Sequence, residues 1–221
     1  MWCIPTIDEE YEKRMMDILS TYERPHDPQR PVVCLDEKSK QLISENRPSI
    51  KAKQGSIKKR DYEYVRRGTL NLFVATEPLG KRRHVVTTKR RTKKDFAQMI
   101  KTLTEVIYPH AKKIILVTDN LNTHTPQSII ETFGETIGNN IVEKLEWHYT
   151  PKHASWLNMA EIEIQALSTQ CLKQPTDTFQ KMQKKVGAWQ KDRNKKQIGI
   201  NWQFTQEKAR KKFKLPIKIL L

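Results

Sequence analysis

Carboxylates set against apolar segments of a strongly basic chain are candidates for holding cations against a polyanion. Three such positions stand out: Asp36 in PVVCLDEK, Asp119 in KIILVTDNLNTH, and Glu161 in HYTPKHASWLNMAEIE. The chain carries 41 Lys+Arg against 25 Asp+Glu, a formal net charge of +16. A surface of that sign attracts polyanions, nucleic acid above all. Carboxylates kept at such places suggest one chemistry, divalent metal ions set against a phosphodiester.

The elements that must position them can be read from periodicity. The 221 residues are enough for one sizeable core. Residues 1–24 hold six acids against three bases, with Tyr11, Met15, Ile18, Leu19 and Tyr22 at helical spacing. That predicts one amphipathic helix, and a proline-rich linker to residue 30 follows it. Strands are predicted at 31–36, 70–76 and 83–88, the last two joined through Glu77-Pro-Leu-Gly80 as a hairpin. Residues 38–67 hold ten Lys/Arg against three acids and read as a basic excursion. A helix opens at Thr92, KIILVT at 113–118 reads as a buried strand, and a helix spans 126–136. A strand at 144–149 and helices at 155–172 and 176–194 complete a mixed sheet with helices packed on it, an α/β architecture. Residues 31–200 then form the main domain and 201–221 a basic tail.

Each acid also has a plainer reading. Asp119 follows a buried strand, where ligands of α/β sheets gather, but Asp is equally a favoured cap and Asn120 a turn residue. Asp36 at the end of VVCL carries the same two readings. In the helix 155–172, Leu157, Ala160, Ile164, Leu167 and Cys171 make an apolar stripe. Glu161 and Glu163 flank it about 160° apart, so only one can face a site at the sheet edge. Periodicity does not say which. Asn158, one turn before Glu161, shares its side and is the expected partner there, as Asn120 is for Asp119.

Together CLDEK, GTLNLFVATEPLGKRRHVVTTKRRTKKDF, VTDNLNTH, HYTPKHASWLNMAEIE and INWQFTQEKAR resemble transposases of bacterial insertion sequences in the mariner-like superfamily, over about residues 31–213. The resemblance implies an RNase H-like fold, a mixed central sheet with helices on both faces. It implies that Asp36, Asp119 and Glu161 are the catalytic, metal-ligating triad, the Leu-Asn-x-x-Glu pattern falling on Glu161 rather than Glu163. It implies Mg²⁺, with Mn²⁺ as substitute, in a pair about 3.5–4 Å apart stabilising attacking and leaving oxygens. The implied reaction is cleavage at transposon ends and strand transfer into target DNA. The rival readings are an inactive DNA-binding remnant and a structure-specific nuclease on the same fold.

Two features depart from that family. Between Asp119 and Glu161 lie 41 residues, more than is common there, and GETIGNNIVEKLE reads as a surface insertion that takes up the surplus. The stretch before the first strand leaves no room for helix-turn-helix domains. The chain then reads as a fragment, as one part of a split reading frame with a separately encoded helix-turn-helix partner, or as a remnant whose end recognition lies elsewhere; joining two ends implies a homodimer.

Basic residues add grip rather than sequence reading. Lys81-Arg82-Arg83, then Lys89, Arg90, Arg91, Lys93 and Lys94, flank one strand, and Lys181–Lys218 holds thirteen bases against two acids. His124, Lys152 and His153 are expected near the DNA phosphates. His124, His148 and His153 show no H-x-x-x-H spacing, so a transition-metal site is not expected. Three widely spaced cysteines, Cys3, Cys34 and Cys171, argue against a disulfide framework. No apolar run approaches the roughly 18 residues of a membrane span, and no secretory signal opens the chain. A bacterial cytoplasmic, nucleoid-associated location follows.

Overall fold

The computed structural model describes residues 7–215 apart from 48, 58, 60 and 61; Cys3 and Lys218 lie outside them. Five strands form one sheet in the order β3-β2-β1-β4-β5. They are β1 (Val32–Glu45), β2 (Tyr64–Glu77), β3 (Arg82–Thr88), β4 (Ile114–Thr118) and β5 (Leu145–Tyr149). β1, β2 and β3 are antiparallel neighbours, whereas β4 and β5 join parallel to β1. Parallel neighbours need crossovers, and these are helical.

Among the described residues, seven α-helices accompany the sheet: α1 (Glu9–Tyr22), α2 (Lys93–Thr102), α3 (Pro126–Phe133), α4 (Glu135–Glu143), α5 (Ala160–Gln170), α6 (Phe179–Lys195) and α7 (Gln206–Phe213). Asp8, Thr92, Thr125, Thr178 and Thr205 open five of them, each side chain accepting from a backbone N–H of the first turn. Strand alternation divides the core. Val33, Leu35 and Phe73 face α2, α3 and α4, where Phe96, Ile100, Ile129 and Ile141 meet them. Cys34 and Val117 face the other way, against Tyr11, Met15, Ile18 and Leu19 of α1. Leu72 and Val74 share that second face with Ile164 and Leu167 of α5 and Met182 and Val186 of α6. Burying each such side chain contributes about 1.5–3 kcal/mol.

Two expectations are corrected and one is refined. The two ends of the basic excursion form a two-stranded ribbon, because β1 continues to Glu45 and β2 begins at Tyr64. Lys38, Lys40, Arg66 and Arg67 sit on this antiparallel ladder. At its bulge, Leu42 faces two residues of β2, and Gly68 there takes φ +103°, open to glycine at little cost. The segment GETIGNNIVEKLE is helical: it forms α4, mostly exposed but with Ile141 in the core and Gly138 so close to Ile130 that a Cβ would lie 2.6 Å from its Cα. Asp36 does not end a strand but lies within β1.

α1 is fastened to β5 by charge as well as burial. His148 Nδ1 lies 2.7 Å from Asp17 Oδ2, and its Nε2 lies 3.1 Å from Glu146 Oε1. Glu146 also accepts from Arg24 at 2.8 Å and Arg30 at 2.6 Å, which ties the proline-rich linker down. Burial pulls the His148 pKa down, but the bonds to Asp17 and Glu146 outweigh it and leave it raised. A raised folded pKa gives stability that is complete below the unfolded value of about 6.5 and is lost as pH rises through the folded value. The melting temperature of the wild type, relative to His148→Gln, is therefore expected to fall as pH rises from 6 into the alkaline range. Paired melts across that range measure it, and a pH-independent difference contradicts it.

Among the described residues, no helix is long and apolar enough to cross a membrane. Cys34 and Cys171 are buried free thiols.

Candidate active site

The sheet register brings the first two carboxylates together. β1 and β4 run parallel with Cys34 level with Val117. Two residues further along each chain stand Asp36 and Asp119, on the face that Cys34 and Val117 share. The turn Thr150–Asn158 after β5 then leads into α5, which carries Glu161 in its first turn, where a helix favours negative charge. Asn158 anchors this junction. Its buried amide donates to Leu35 O at 2.9 Å and reaches Asp36 Oδ2 at 3.4 Å, while its Oδ1 accepts from Ala160 N at 3.1 Å. The partner of Asn158 is thus Asp36 rather than Glu161.

The three carboxylates feel each other. Burial lifts the Asp36 pKa to about 7, and the charges of Glu161 and Asp119 push the same way. The Glu37 N–H, donating to Asp36 Oδ1 at 2.7 Å, and the charge of His124 oppose them. An anionic pocket of hard oxygens that is unfavourable to itself suits a divalent cation of the Mg²⁺ or Mn²⁺ type. The donors fit the ion by type and charge without forming a ready-made shell. Among the described residues, no three His, Cys, Asp or Glu side chains are gathered closely enough to hold an ion as they stand.

Glu163 faces elsewhere. It is fully buried and accepts from Arg193 Nε at 2.8 Å and from a second Arg193 nitrogen at 3.2 Å, with Arg83 Nε 3.1 Å away. The two glutamates are thus divided as helix geometry requires, Glu163 into the core beneath β3 and α6, Glu161 toward the carboxylates. Arg83 is accordingly not a phosphate contact: it is 3 % exposed, and its guanidinium also bonds Asn194 Oδ1 and Ile198 O.

His124 is the other correction. It is fully buried, stacked on Phe96 with ring centroids 4.4 Å apart, and has no face for a DNA phosphate. Nδ1 lies 2.5 Å from Asp119 Oδ1 and Nε2 lies 2.8 Å from Glu37 Oε1. Burial lowers its pKa, but these two carboxylates more than compensate and lift it to about 9. Asn120 is exposed and its side chain holds no carboxylate. It lines a cleft of ≈ 530 Å³ beside Asp119, bordered also by Arg14, Lys152 and His153. Arg91 stands opposite Glu37 across a second cleft of ≈ 360 Å³. Lys89, Arg90, Lys93 and Lys94 are exposed, with Lys93 paired to Glu131. Sequence reasoning missed Glu37, whose only signal was its place in the alternation after Asp36.

Residues 31–183 match the family model of the DDE superfamily endonucleases. The chain belongs to that family. No curated protein matches it. Among solved structures, the DDE domain here is similar to the Mos1 mariner paired-end complex with Mn, at 17 % identity and TM-score 0.56, covering 89 % of this chain and 61 % of that one. A Mos1 transposase paired-end complex with left transposon end gives 17 % and 0.57 over 90 % and 61 %, and a Mos1 strand transfer complex 16 % and 0.56 over 92 % and 66 %. The chain spans less than two thirds of the length of each. At these identities the likeness is one of fold, and that fold is RNase H-like, with the first and fourth strands adjacent.

Proposed function

We propose that this DDE superfamily endonuclease is the catalytic unit of a transposase, cutting element-end DNA and transferring the strand into target DNA. The observation that carries this reading is the β1–β4 register, which sets Asp36 beside Asp119 and opposite the Glu161 turn of α5. Asp36, Asp119 and Glu161 would hold two divalent ions, Mg²⁺ or Mn²⁺. Ions held there would supply Lewis-acid chemistry, activating the attacking hydroxyl and stabilising charge on the leaving oxygen. The chain's own part is to orient and to grip. Asn158 fixes Asp36 to the head of α5, whose first turn carries Glu161. Lys152 and His153 border the cleft beside Asp119, and Lys89, Arg90, Arg91, Lys93 and Lys94 meet the phosphates from the β3–α2 side.

Residues 31–200 serve as this unit, flanked by residues 1–30 and 201–221. It works in the cytoplasm as a homodimer on paired ends, with a separately encoded helix-turn-helix protein to recognise them. The test is incubation of the purified chain with Mg²⁺ or Mn²⁺ and duplexes bearing the inverted repeats that flank its reading frame. Nicking at the repeat end, followed by joining of the freed 3′-hydroxyl, is expected. Binding without nicking in either ion overturns the reading in favour of an inactive remnant, and nicking of branched DNA without joining favours a nuclease.

The grip is electrostatic, so its signature is a salt slope. Arg91→Ala should weaken duplex binding equally for unrelated sequences and reduce the slope of log K against log salt by about 1. Fluorescence anisotropy between low and moderate salt measures it, and an unchanged slope removes Arg91 from the contact set.

A further inference from the structure

His124 and Glu37 are unused by the chemistry above, yet both are buried at its edge. Glu37 follows Asp36 in β1, so the two side chains point to opposite faces of the sheet. Asp36 faces α1 and α5; Glu37 faces the side of Leu35, Phe73 and Phe96. His124, in the loop before α3, lies flat on Phe96 on that same side. Its ring reaches past the end of β4 to Asp119, with Thr118 Oγ1 3.2 Å from Nδ1. Tyr149 Oη donates to the His124 carbonyl at 3.0 Å, holding the backbone that carries the ring.

We propose that His124 and Glu37 act as a positioning pair, reaching through the end of the sheet to hold one oxygen of Asp119 so that the other is presented to a divalent ion. This rests on the metal-site reading of Asp119. Carboxylates only accept when ionised, so a ring facing one with each nitrogen is fixed in both rotation and tilt. Glu37 locks the ring and the ring locks Asp119. Loss of an outer partner of this kind weakens metal binding about 10- to 100-fold.

The two nitrogens can be separated by substitution. In His124→Asn the amide sits near the place of Nδ1 and can still donate to Asp119. In His124→Gln it sits near the place of Nε2 and addresses Glu37 alone. Both variants lose the stacking on Phe96, so a purely structural role makes them fall together in melting temperature and in everything else. The experiment is calorimetric titration of Mn²⁺ into wild type, His124→Asn, His124→Gln, His124→Ala and Glu37→Ala, with a melt of each.

Mn²⁺ affinity is expected to drop about 10- to 100-fold in the Gln and Ala variants, and in Glu37→Ala less steeply, while Asn stays within about threefold of wild type. Equal affinity in all variants overturns the positioning role, as does an equal loss in Asn, Gln and Ala that tracks their melting temperatures. A wild type that binds no Mn²⁺ overturns the metal-site reading itself, and this proposal with it.

Discussion

Asp36→Asn, Asp119→Asn and Glu161→Gln are each expected to abolish Mg²⁺-dependent nicking of element-end DNA while leaving duplex affinity within a few-fold of wild type. Removing one ligand costs the charge stabilisation of both reacting oxygens, and a loss of about 4 kcal/mol is already about 10³ in rate. Binding should be spared because the bases proposed to grip phosphates lie between β3 and α2, at the start of α2 and in the 150–155 turn, apart from the carboxylates. Stability should not fall in Asp36→Asn or Glu161→Gln either; Asp119→Asn is exempt, because it also removes the charge that faces buried His124. Three mutually repelling carboxylates are maintained at a cost, so Asp36→Asn, which keeps an acceptor for the Glu37 N–H, should melt no lower than the wild type without metal. Assays on end duplexes, anisotropy and thermal melts read the three quantities on the same preparations. A variant that loses binding, or for Asp36 and Glu161 folding, along with nicking removes its residue from the proposed triad.

How much of this was legible depended on whether a local pattern or a distant partner decided each residue. KIILVT, PVVCLD and the Leu157–Cys171 stripe each had a period or an apolar run of their own, and the strands and helix they predict are there. The adjacency of Asp36 and Asp119 follows only from the RNase H-like fold that the family resemblance implies, since nothing local in either segment says that β1 pairs with β4. The ends of the basic stretch 38–67 misled because Lys38, Lys40, Arg66 and Arg67 lie on a ribbon whose backbone bonds, not apolar alternation, hold it extended. GETIGNNIVEKLE gave no sign that it forms a helix of its own, in which Gly138 serves the close approach of α4 to α3. His124, Arg83 and Glu163 could not be placed from composition. A histidine or arginine in a basic chain reads as surface until a buried carboxylate, distant in sequence, claims it.

That last point yields the largest expected effect on stability. Glu163→Ala leaves the guanidiniums of Arg83 and Arg193 facing each other in the core with their shared anion gone. Breaking a buried pair in this way costs about 3–5 kcal/mol, or about 6–20 °C in melting temperature for a chain of this length. Arg83 also bonds Asn194 and Ile198 O, so the ions tie β3 and α5 to the end of α6, and the damage should spread to that helix. Replacing all three, as Glu163→Leu with Arg83→Met and Arg193→Met, should recover most of the loss, because the desolvation cost disappears with the charges. Glu161→Gln provides the contrast, silent in the melt and dead in the nicking assay. If instead Glu163→Ala folds as well as wild type and Glu161→Gln unfolds, the two glutamates have exchanged roles. The third ligand must then be sought on the opposite side of α5.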